Sequence, residues 1–378
     1  MKVALNATAL LTPLTGIGQY TYQLAKGLLT RPELELDLFY GSGWSKELRD
    51  RPVHNIAAFK TLFKRFMPNA YAVNRFLQQN RFTRGVLSNK AEVYHEPNIL
   101  AFKFNGPSVI TVHDLSWIRF PQTHPVERVR AMNRYFEPGL RRAALILTDS
   151  EFVKREIMDV FGVKADLIKP VLLGVESLFY PRTVEDTLPV LDRLGLVHGR
   201  YLLAVGTIEP RKNLQVALRA YMLLPQQIRK EFPLVLVGMN GWRTSALELQ
   251  IAPLVSAGEV RQIGYLPRED LARVIAGALT LIYPSIYEGF GLPPLEAMAC
   301  GVPVISSEVS SLPEVVGDTG LLINPHDDDA VAQAILRLVD DDNLRQHLSH
   351  KAQARSKEFT WDKCVKQTID VYRQALNR

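Results

Sequence analysis

Residues 279–306 read LTLIYPSIYEGFGLPPLEAMACGVPVIS. The run opens on a mostly apolar stretch, Leu279 to Tyr283, and closes on a second, Val304 to Ser306. Between them lie a glycine loop and a helical stretch that carries Pro293 and Pro294 in its first turns and Glu296 in its body. Short apolar runs without polar alternation are strands buried on both faces, and two such strands joined through a helix pair in parallel. The glycines at 289 and 291 let backbone N–H groups approach a ligand, and a following helix start favours an anion. Glu288 and Glu296, with seven residues between them, flank the loop and can reach two ends of one ligand. The plainer reading of the same stretch is a helix-capping loop with one acidic residue near the helix start.

Strand-then-helix alternation extends in both directions. Toward the C-terminal half, Tyr201–Val205, Leu234–Val237 and Val260–Ile263 read as further strands. In the N-terminal half, 2–10, 34–40, 92–95, 108–112 and 144–148 read as strands, and 19–29, 71–82, 126–142 and 151–161 as helices. The economical solution is α/β with two doubly wound parallel sheets. The boundary is expected in the polar, proline-containing stretch 174–199, giving domains 1–180 and 181–359, with a final amphipathic helix at about 360–378.

The chain has 378 residues, 47% apolar and 22% charged, so disorder, collagen and coiled coil are excluded. No apolar run approaches the roughly 18 residues that span a bilayer, and residues 1–16 lack a signal-peptide cleavage pattern. A cytoplasmic protein is expected. Two cysteines, Cys300 and Cys364, support neither a disulfide framework nor a cysteine-rich metal site. The net charge of +6 divides into +8 through residue 180 and −2 beyond it. Residues 51–91 hold eight of the basic side chains (Arg51, Lys60, Lys64, Arg65, Arg75, Arg81, Arg84, Lys90) and no acid, interleaved with Phe59, Phe63, Phe66, Tyr71, Phe76 and Phe82. This segment is either a solvated basic face over core aromatics or a peripheral docking surface for an anionic membrane. No nucleic-acid module is present, and nucleic acid is not an expected partner.

Other polar residues follow strands directly. After Tyr201–Val205 come Gly206, which allows a tight exit, then Arg211 and Lys212, then Asn213 as an expected N-cap. An Arg–Lys pair suits a diphosphate, although two basic residues in a loop can simply be solvated. His113 and Asp114 end the strand 108–112, where a neutral histidine could exchange hydrogen bonds with a hydroxyl or play a structural part. Gly16 and Gly18 lie in a loop before a helix. Glu96 and Asn98 follow the strand 92–95 and are candidates on the acceptor side. Ser150 and Glu151 are expected to cap the next helix. The acidic triplets 327–329 and 340–342 sit at helix starts, where capping explains them better than a metal. No catalytic metal and no cofactor are expected.

The segment 288–304 resembles the signature of retaining nucleotide-sugar glycosyltransferases of family 4, which have the GT-B fold. The resemblance extends over nearly the whole chain, through 14–18, His113-Asp114, 148–152, 206–212, 264–266 and 320–325. It implies two Rossmann-like domains facing a central cleft, with the C-terminal helix crossing back to the first. It further implies sugar hydroxyls on Glu288, ribose on Glu296, and diphosphate on Arg211 and Lys212. The donor would also meet Gly16, Gly18, Gly206, the backbone of Gly289, Phe290, Gly291 and Leu292, and, at the base, Ile263, Tyr265 and Leu266. His113 would lie near the donor sugar, and Glu96, Asn98 and Asp114 on the acceptor side. The pattern is similar to bacterial mannosyltransferases and rhamnosyltransferases of O-polysaccharide assembly, so GDP-mannose as donor and a lipid-linked glycan as acceptor are the expected partners. A GDP-rhamnose or UDP-sugar transferase, a sugar-nucleotide 2-epimerase on the same architecture, and a non-catalytic nucleotide-sugar binder are the alternatives.

Overall fold

A computed structural model describes residues 1–12, 16–49, 70–239 and 245–378. Leu14, Thr15 and residues 51–69, which include Arg51, Lys60, Lys64 and Arg65, therefore lie outside the described residues. The chain divides into two compact units: 1–115, 125–173 and 361–378 form one, and 116–124 with 174–360 form the other.

The first unit is built on a seven-stranded sheet of β1 (Lys2–Asn6), β2 (Glu35–Phe39), β3 (Trp44–Ser45), β4 (Val93–Glu96), β5 (Ser108–Val112), β6 (Leu145–Thr148) and β7 (Ile168–Pro170). The order is β3-β2-β1-β4-β5-β6-β7. Every pair is parallel except β2 with the two-residue edge strand β3. The strands are mostly buried, as a sheet covered on both faces requires, and carry buried polar side chains at Asn6, Asp37, His95, Glu96, Thr111 and Thr148. The expected strand 2–10 stops at Asn6, because the Thr8 amide donates to Asn6 Oδ1 at 3.1 Å and turns the chain into a 3₁₀ segment, Thr8–Leu11.

The terminal helix, Trp361–Leu376, packs on the first helix, Gly16–Leu29, and against β4, β5 and β6. Close approach depends on Gly27: a Cβ there would stand 2.5 Å from Val365 Cγ2. Beneath the terminal helix runs a buried polar chain. Tyr372 Oη lies 2.6 Å from His95 Nδ1, His95 Nε2 lies 2.7 Å from Thr111 Oγ1, and Thr111 lies 2.9 Å from Tyr20 Oη. Burial pushes His95 down to about 3, with His113 adding to the effect, so its ring is neutral and each nitrogen has a hydroxyl partner.

The second unit carries β8 (Leu202–Val205), β9 (Leu234–Val237), β10 (Val260–Gly264), β11 (Thr280–Tyr283), β12 (Val304–Ser307) and β13 (Leu321–Ile323), all parallel, in the order β10-β9-β8-β11-β12-β13. The stretch 174–199, in which the boundary is expected, is structured. Its residues 184–193 form a helix that begins at a full capping box between Thr183 and Asp186 and buries Thr187, Val190 and Leu191. The chain thus changes units at 173/174, ahead of the expected 180/181, and Val175 bridges to Thr360 within the second unit.

Both sheets reverse their strand order at one place, between β1 and β4 in the first unit and between β8 and β11 in the second. Crossovers leave such a switch point on opposite faces and so open a crevice beyond the carboxyl ends of those two strands. Residues just after β1, β4, β8 and β11 are the ones so placed.

Candidate active site

At the switch point of the second unit, the loops after β8 and β11 meet in an ion cluster. Lys212 Nζ donates to Glu288 Oε1 at 2.6 Å and Arg211 Nη1 donates to Glu288 Oε2 at 3.0 Å. Arg211 Nη2 also donates to Glu209 Oε1 at 2.7 Å, and Tyr283 Oη donates to Glu288 Oε1 at 2.9 Å. All four charged side chains are at least 86% buried. Two cations and two carboxylates balance, so the basic pair does not stand as bare positive charge. Burial alone would raise the Glu288 carboxyl, but Lys212 and then Arg211 overcome it and hold it at about 2. Lys212 is lowered by its burial and by Arg211, with Glu288 opposing.

The loops that hold this cluster are tied together by backbone groups. The Ile286 amide donates to the Arg211 carbonyl at 3.0 Å, and Arg211 Nη1 donates to the Tyr287 carbonyl at 2.9 Å. Asn213 occupies the expected cap position but does not cap. It has left-handed backbone (φ 55°), and its amide donates to the carbonyls of Pro284 at 3.0 Å and Pro325 at 2.6 Å, joining three strand-end loops. Gly206 and Gly238, after β8 and β9, pass so closely that a Cβ at Gly238 would lie 1.9 Å from the Gly206 carbonyl oxygen.

The helix after the glycine loop, Leu292–Ala299, starts from Gly291 at φ 122°. Its opening is a poorer anion site than expected. Pro293 and Pro294 have no N–H, and the Leu295 amide donates to Gly291, so of the first four residues only Leu292 has an amide to offer outward. The Phe290 side chain packs edge-on to Phe359 in the core, 6.0 Å between centroids. Ser311 Oγ donates to the carbonyls of Glu288 and Phe290, at 2.9 and 2.8 Å, and so fixes the loop from below.

Glu296 is buried and paired. Arg268 Nη2 donates to Glu296 Oε1 at 2.8 Å and also to Glu176 Oε1, and the guanidinium lies over the Phe179 ring. Burial raises the Glu296 carboxyl, and Arg268 opposes it. Ile263, Tyr265 and Leu266 lie at the end of β10, the edge strand, where Tyr265 is exposed.

In the first unit, a cavity of about 370 Å³ opens at the β1/β4 switch point. It is lined by Asn6, Gly18, Glu96, Asn98, Arg75 and Phe102, among others. Glu96 is buried and accepts from Tyr94 Oη at 2.6 Å, Asn6 Nδ2 at 2.7 Å and the Asn98 amide at 3.0 Å. Burial raises its carboxyl against those hydrogen bonds. His113, after β5, is buried, with Asp149 Oδ2 2.6 Å from Nδ1 and the Pro97 carbonyl 2.8 Å from Nε2. Asp114 beside it is half-buried, and Gly16 opens the first helix without lining the cavity.

Comparison with known proteins decides the family. The glycosyltransferase family 4 model matches residues 14–177, and the glycosyl transferases group 1 model matches residues 196–355. The chain is 39% identical to the O-antigen chain mannosyltransferase B of Escherichia coli, over 99% of this chain and 100% of that protein. The chain belongs to glycosyltransferase family 4. Its fold is the GT-B fold. Sucrose-phosphate synthase from Thermosynechococcus elongatus superposes with a TM-score of 0.77 at 22% identity, covering 99% of this chain and 98% of that one. HepE of Anabaena, solved with UDP and glucose, superposes with a TM-score of 0.72 at 21% identity, covering 98% and 99%.

Within this glycosyltransferase, the structure brings Arg211, Lys212 and Glu288 into contact and adds Glu209 and Tyr283. It gives Glu296 its own partners, Arg268 and Glu176. It gathers Gly18, Glu96 and Asn98 around one cavity and pairs His113 with Asp149. Ser150 caps the helix 151–161, with Oγ accepting from the Val153 amide at 3.2 Å, and Asp327 and Asp341 cap theirs. Sequence reasoning assigned nothing to Asp149, Arg268 or Tyr283. A signal existed for Asp149, which directly follows a buried strand neighbouring the one that ends at His113.

Proposed function

We propose that this glycosyltransferase moves an α-mannosyl unit from GDP-mannose, with retention of configuration, onto a lipid-linked glycan during assembly of an O-antigen or related surface polysaccharide. The observation that carries the reading is the ion cluster at the β8/β11 switch point: two buried cations, held by carboxylates, in the crevice where an open parallel sheet takes its ligand. Full-length identity to a mannosyltransferase of O-antigen chains supports the sugar and the pathway.

In this reading the diphosphate competes with Glu288 for Arg211 and Lys212. As the glycosidic bond breaks, negative charge collects on the departing diphosphate, and the two cations stabilise it without a metal. Losing one such donor costs about 3 to 4 kcal/mol of the barrier. Glu288, released from its cations, accepts from sugar hydroxyls. Glu296, paired with Arg268, accepts from the ribose. Gly206, the Gly289–Leu292 backbone, and Ile263, Tyr265 and Leu266 line the rest of the donor. The leaving phosphate oxygen takes the acceptor proton in a front-face displacement. Gly16, Gly18 and His113 serve the sugar, and Glu96, Asn98 and Asp114 hold the acceptor.

The enzyme works at the cytoplasmic face of the membrane. The helix Ala70–Asn89 supports peripheral contact, since it exposes Val73, Phe76, Leu77 and Leu87 alongside Arg81 and Arg84 while Phe82 and Val86 enter the core. No described helix is long and apolar enough to cross a membrane.

The deciding experiment incubates the protein with GDP-mannose, GDP-rhamnose, UDP-sugars or dTDP-sugars and a lipid-linked mannosyl acceptor, with and without EDTA. Mannose should reach the acceptor from GDP-mannose alone, in α linkage, at a rate EDTA leaves unchanged. Preference for another donor, or label appearing only as an epimerised nucleotide sugar, overturns the assignment. Sedimentation with anionic but not neutral vesicles, weakened by salt, is the expected membrane result, and failure to sediment at low salt removes that part.

A further inference from the structure

With Asp149 ionised, both ring nitrogens of His113 face groups that can only accept. Nδ1 lies 2.6 Å from the Asp149 carboxylate and Nε2 lies 2.8 Å from the Pro97 carbonyl oxygen. A neutral imidazole has one N–H, so one of these contacts would set a lone pair against a lone pair. The imidazolium has two and satisfies both. Each group sits at the carboxyl end of one of three adjacent strands: Pro97 after β4, His113 after β5, Asp149 after β6. The doubly donating ring therefore staples three strand ends, including the loop that begins with Glu96.

The surroundings agree in sign. Tyr20 on the first helix meets the ring edge-on at 4.8 Å between centroids, and its hydroxyl is kept neutral by burial. His95 on β4 is neutral, and burial pushes the Cys364 thiol of the terminal helix up beyond its ordinary value. Among the described residues, Asp149 and Asp114 are the charged groups that raise His113, and burial raises the Asp149 carboxyl while the charge and hydrogen bond of His113 oppose that rise. Burial works to lower His113, and the charge and hydrogen bond of Asp149 more than reverse it.

We propose that Asp149 is a positioning residue that keeps His113 as an imidazolium, so that His113 serves the reaction as a fixed positive charge and not as a proton shuttle. This departs from the neutral histidine expected from sequence. The protonation state stands independently of the transferase reading, whereas its use in stabilising the charge that develops during transfer rests on that reading.

The test is a two-dimensional ¹H–¹³C NMR titration of histidine-labelled full-length protein, with His113 assigned by its loss in His113→Gln. In the parent protein the His113 ring should titrate with a midpoint above that of free imidazole. In Asp149→Asn, which keeps a hydrogen-bond acceptor but no charge, the midpoint should fall to or below the ordinary value. Asp149→Glu should restore it. If Asp149→Asn fails to fold, the parent titration and the Asp149→Glu variant still decide. The pH profile of transfer gives a second readout: Asp149→Asn should lose activity about tenfold per unit above its lowered midpoint and recover below it, while the parent shows no such limb. A parent midpoint at or below the ordinary value, or one unmoved by Asp149→Asn, overturns the proposal. A titration as expected, in a protein that transfers no sugar, leaves the proposal standing and overturns the transferase reading instead.

Discussion

Replacing Glu288 by Gln removes a carboxylate that Arg211 and Lys212 both pair with, and its effect can be sized from the carboxyl itself. In the folded protein burial is outweighed by Lys212 and Arg211, which hold the Glu288 carboxyl at about 2 against an ordinary 4.5. At 1.36 kcal/mol per unit this difference corresponds to about 3 kcal/mol of stability at neutral pH. A depressed carboxyl contributes fully above the unfolded value and loses its contribution as pH falls from about 4.5 toward 2. Glu288→Gln should therefore be about 3 kcal/mol less stable than the parent at pH 7. The gap should narrow to about 2 kcal/mol at pH 3.5, because the unfolded parent chain takes up a proton there that the folded parent and the variant do not. Urea unfolding of both proteins at pH 7, 5 and 3.5, followed by far-ultraviolet circular dichroism, measures the gap directly. A gap below about 1 kcal/mol at pH 7, or one that does not change with pH, would refute the ion cluster as the source of the carboxyl's depression. The same variant should lose transfer by about 100-fold or more, since a buried group preorganised at the reacting sugar is gone.

Gly238→Ala tests the close passage of two strand-end loops. A Cβ 1.9 Å from the Gly206 carbonyl, on a backbone at φ 151°, forces those loops apart, at about 1 to 3 kcal/mol or more by urea unfolding. A loss under about 0.5 kcal/mol would mean that the loops do not approach so closely. His95→Gln tests the neutral buried ring. A histidine lowered to about 3 binds no proton in the fold while the unfolded chain takes one below about 6.5, so the parent's stability should fall with acid between those values. Between pH 6.5 and 4.5 the parent should lose about 2 to 3 kcal/mol that the variant retains, up to about 1.4 kcal/mol per unit. Parallel pH curves for the two proteins would rule this out.

Long apolar runs made the sheets legible. Leu234–Val237 and Glu151–Phe161 fall where periodicity places them, because burial on both faces or on one helical stripe writes a pattern over many residues. Elements decided by a few local bonds were not legible. Strand β3 has two residues and exists by pairing at an edge, and β7 has three. The helix 184–193 was not legible among Pro181, Pro189 and the charges of 182–186, because a capping box at Thr183 and Asp186 is decided by two local hydrogen bonds. In the site, Arg211, Lys212 and Glu288 stood out because they flank glycines at strand ends. Asn213 misled because its type fits a cap, while the loops around it offered carbonyls that a cap would have left unpaired. Arg268 and Asp149 act across tens of residues of sequence, and no spacing rule connects them to Glu296 and His113.

The return of the last helix to the first unit has a consequence for how the chain is made. Synthesis proceeds from the amino end, and a domain closes only when all of its segments have emerged. Residues 174–360 can complete the second unit while the first still lacks Trp361–Leu376. Until that helix arrives, Gly27 faces no Val365 and His95 has no Tyr372, so a nascent first unit exposes a groove meant for the chain's own last turns. Within one chain, the unit begun first is the unit finished last.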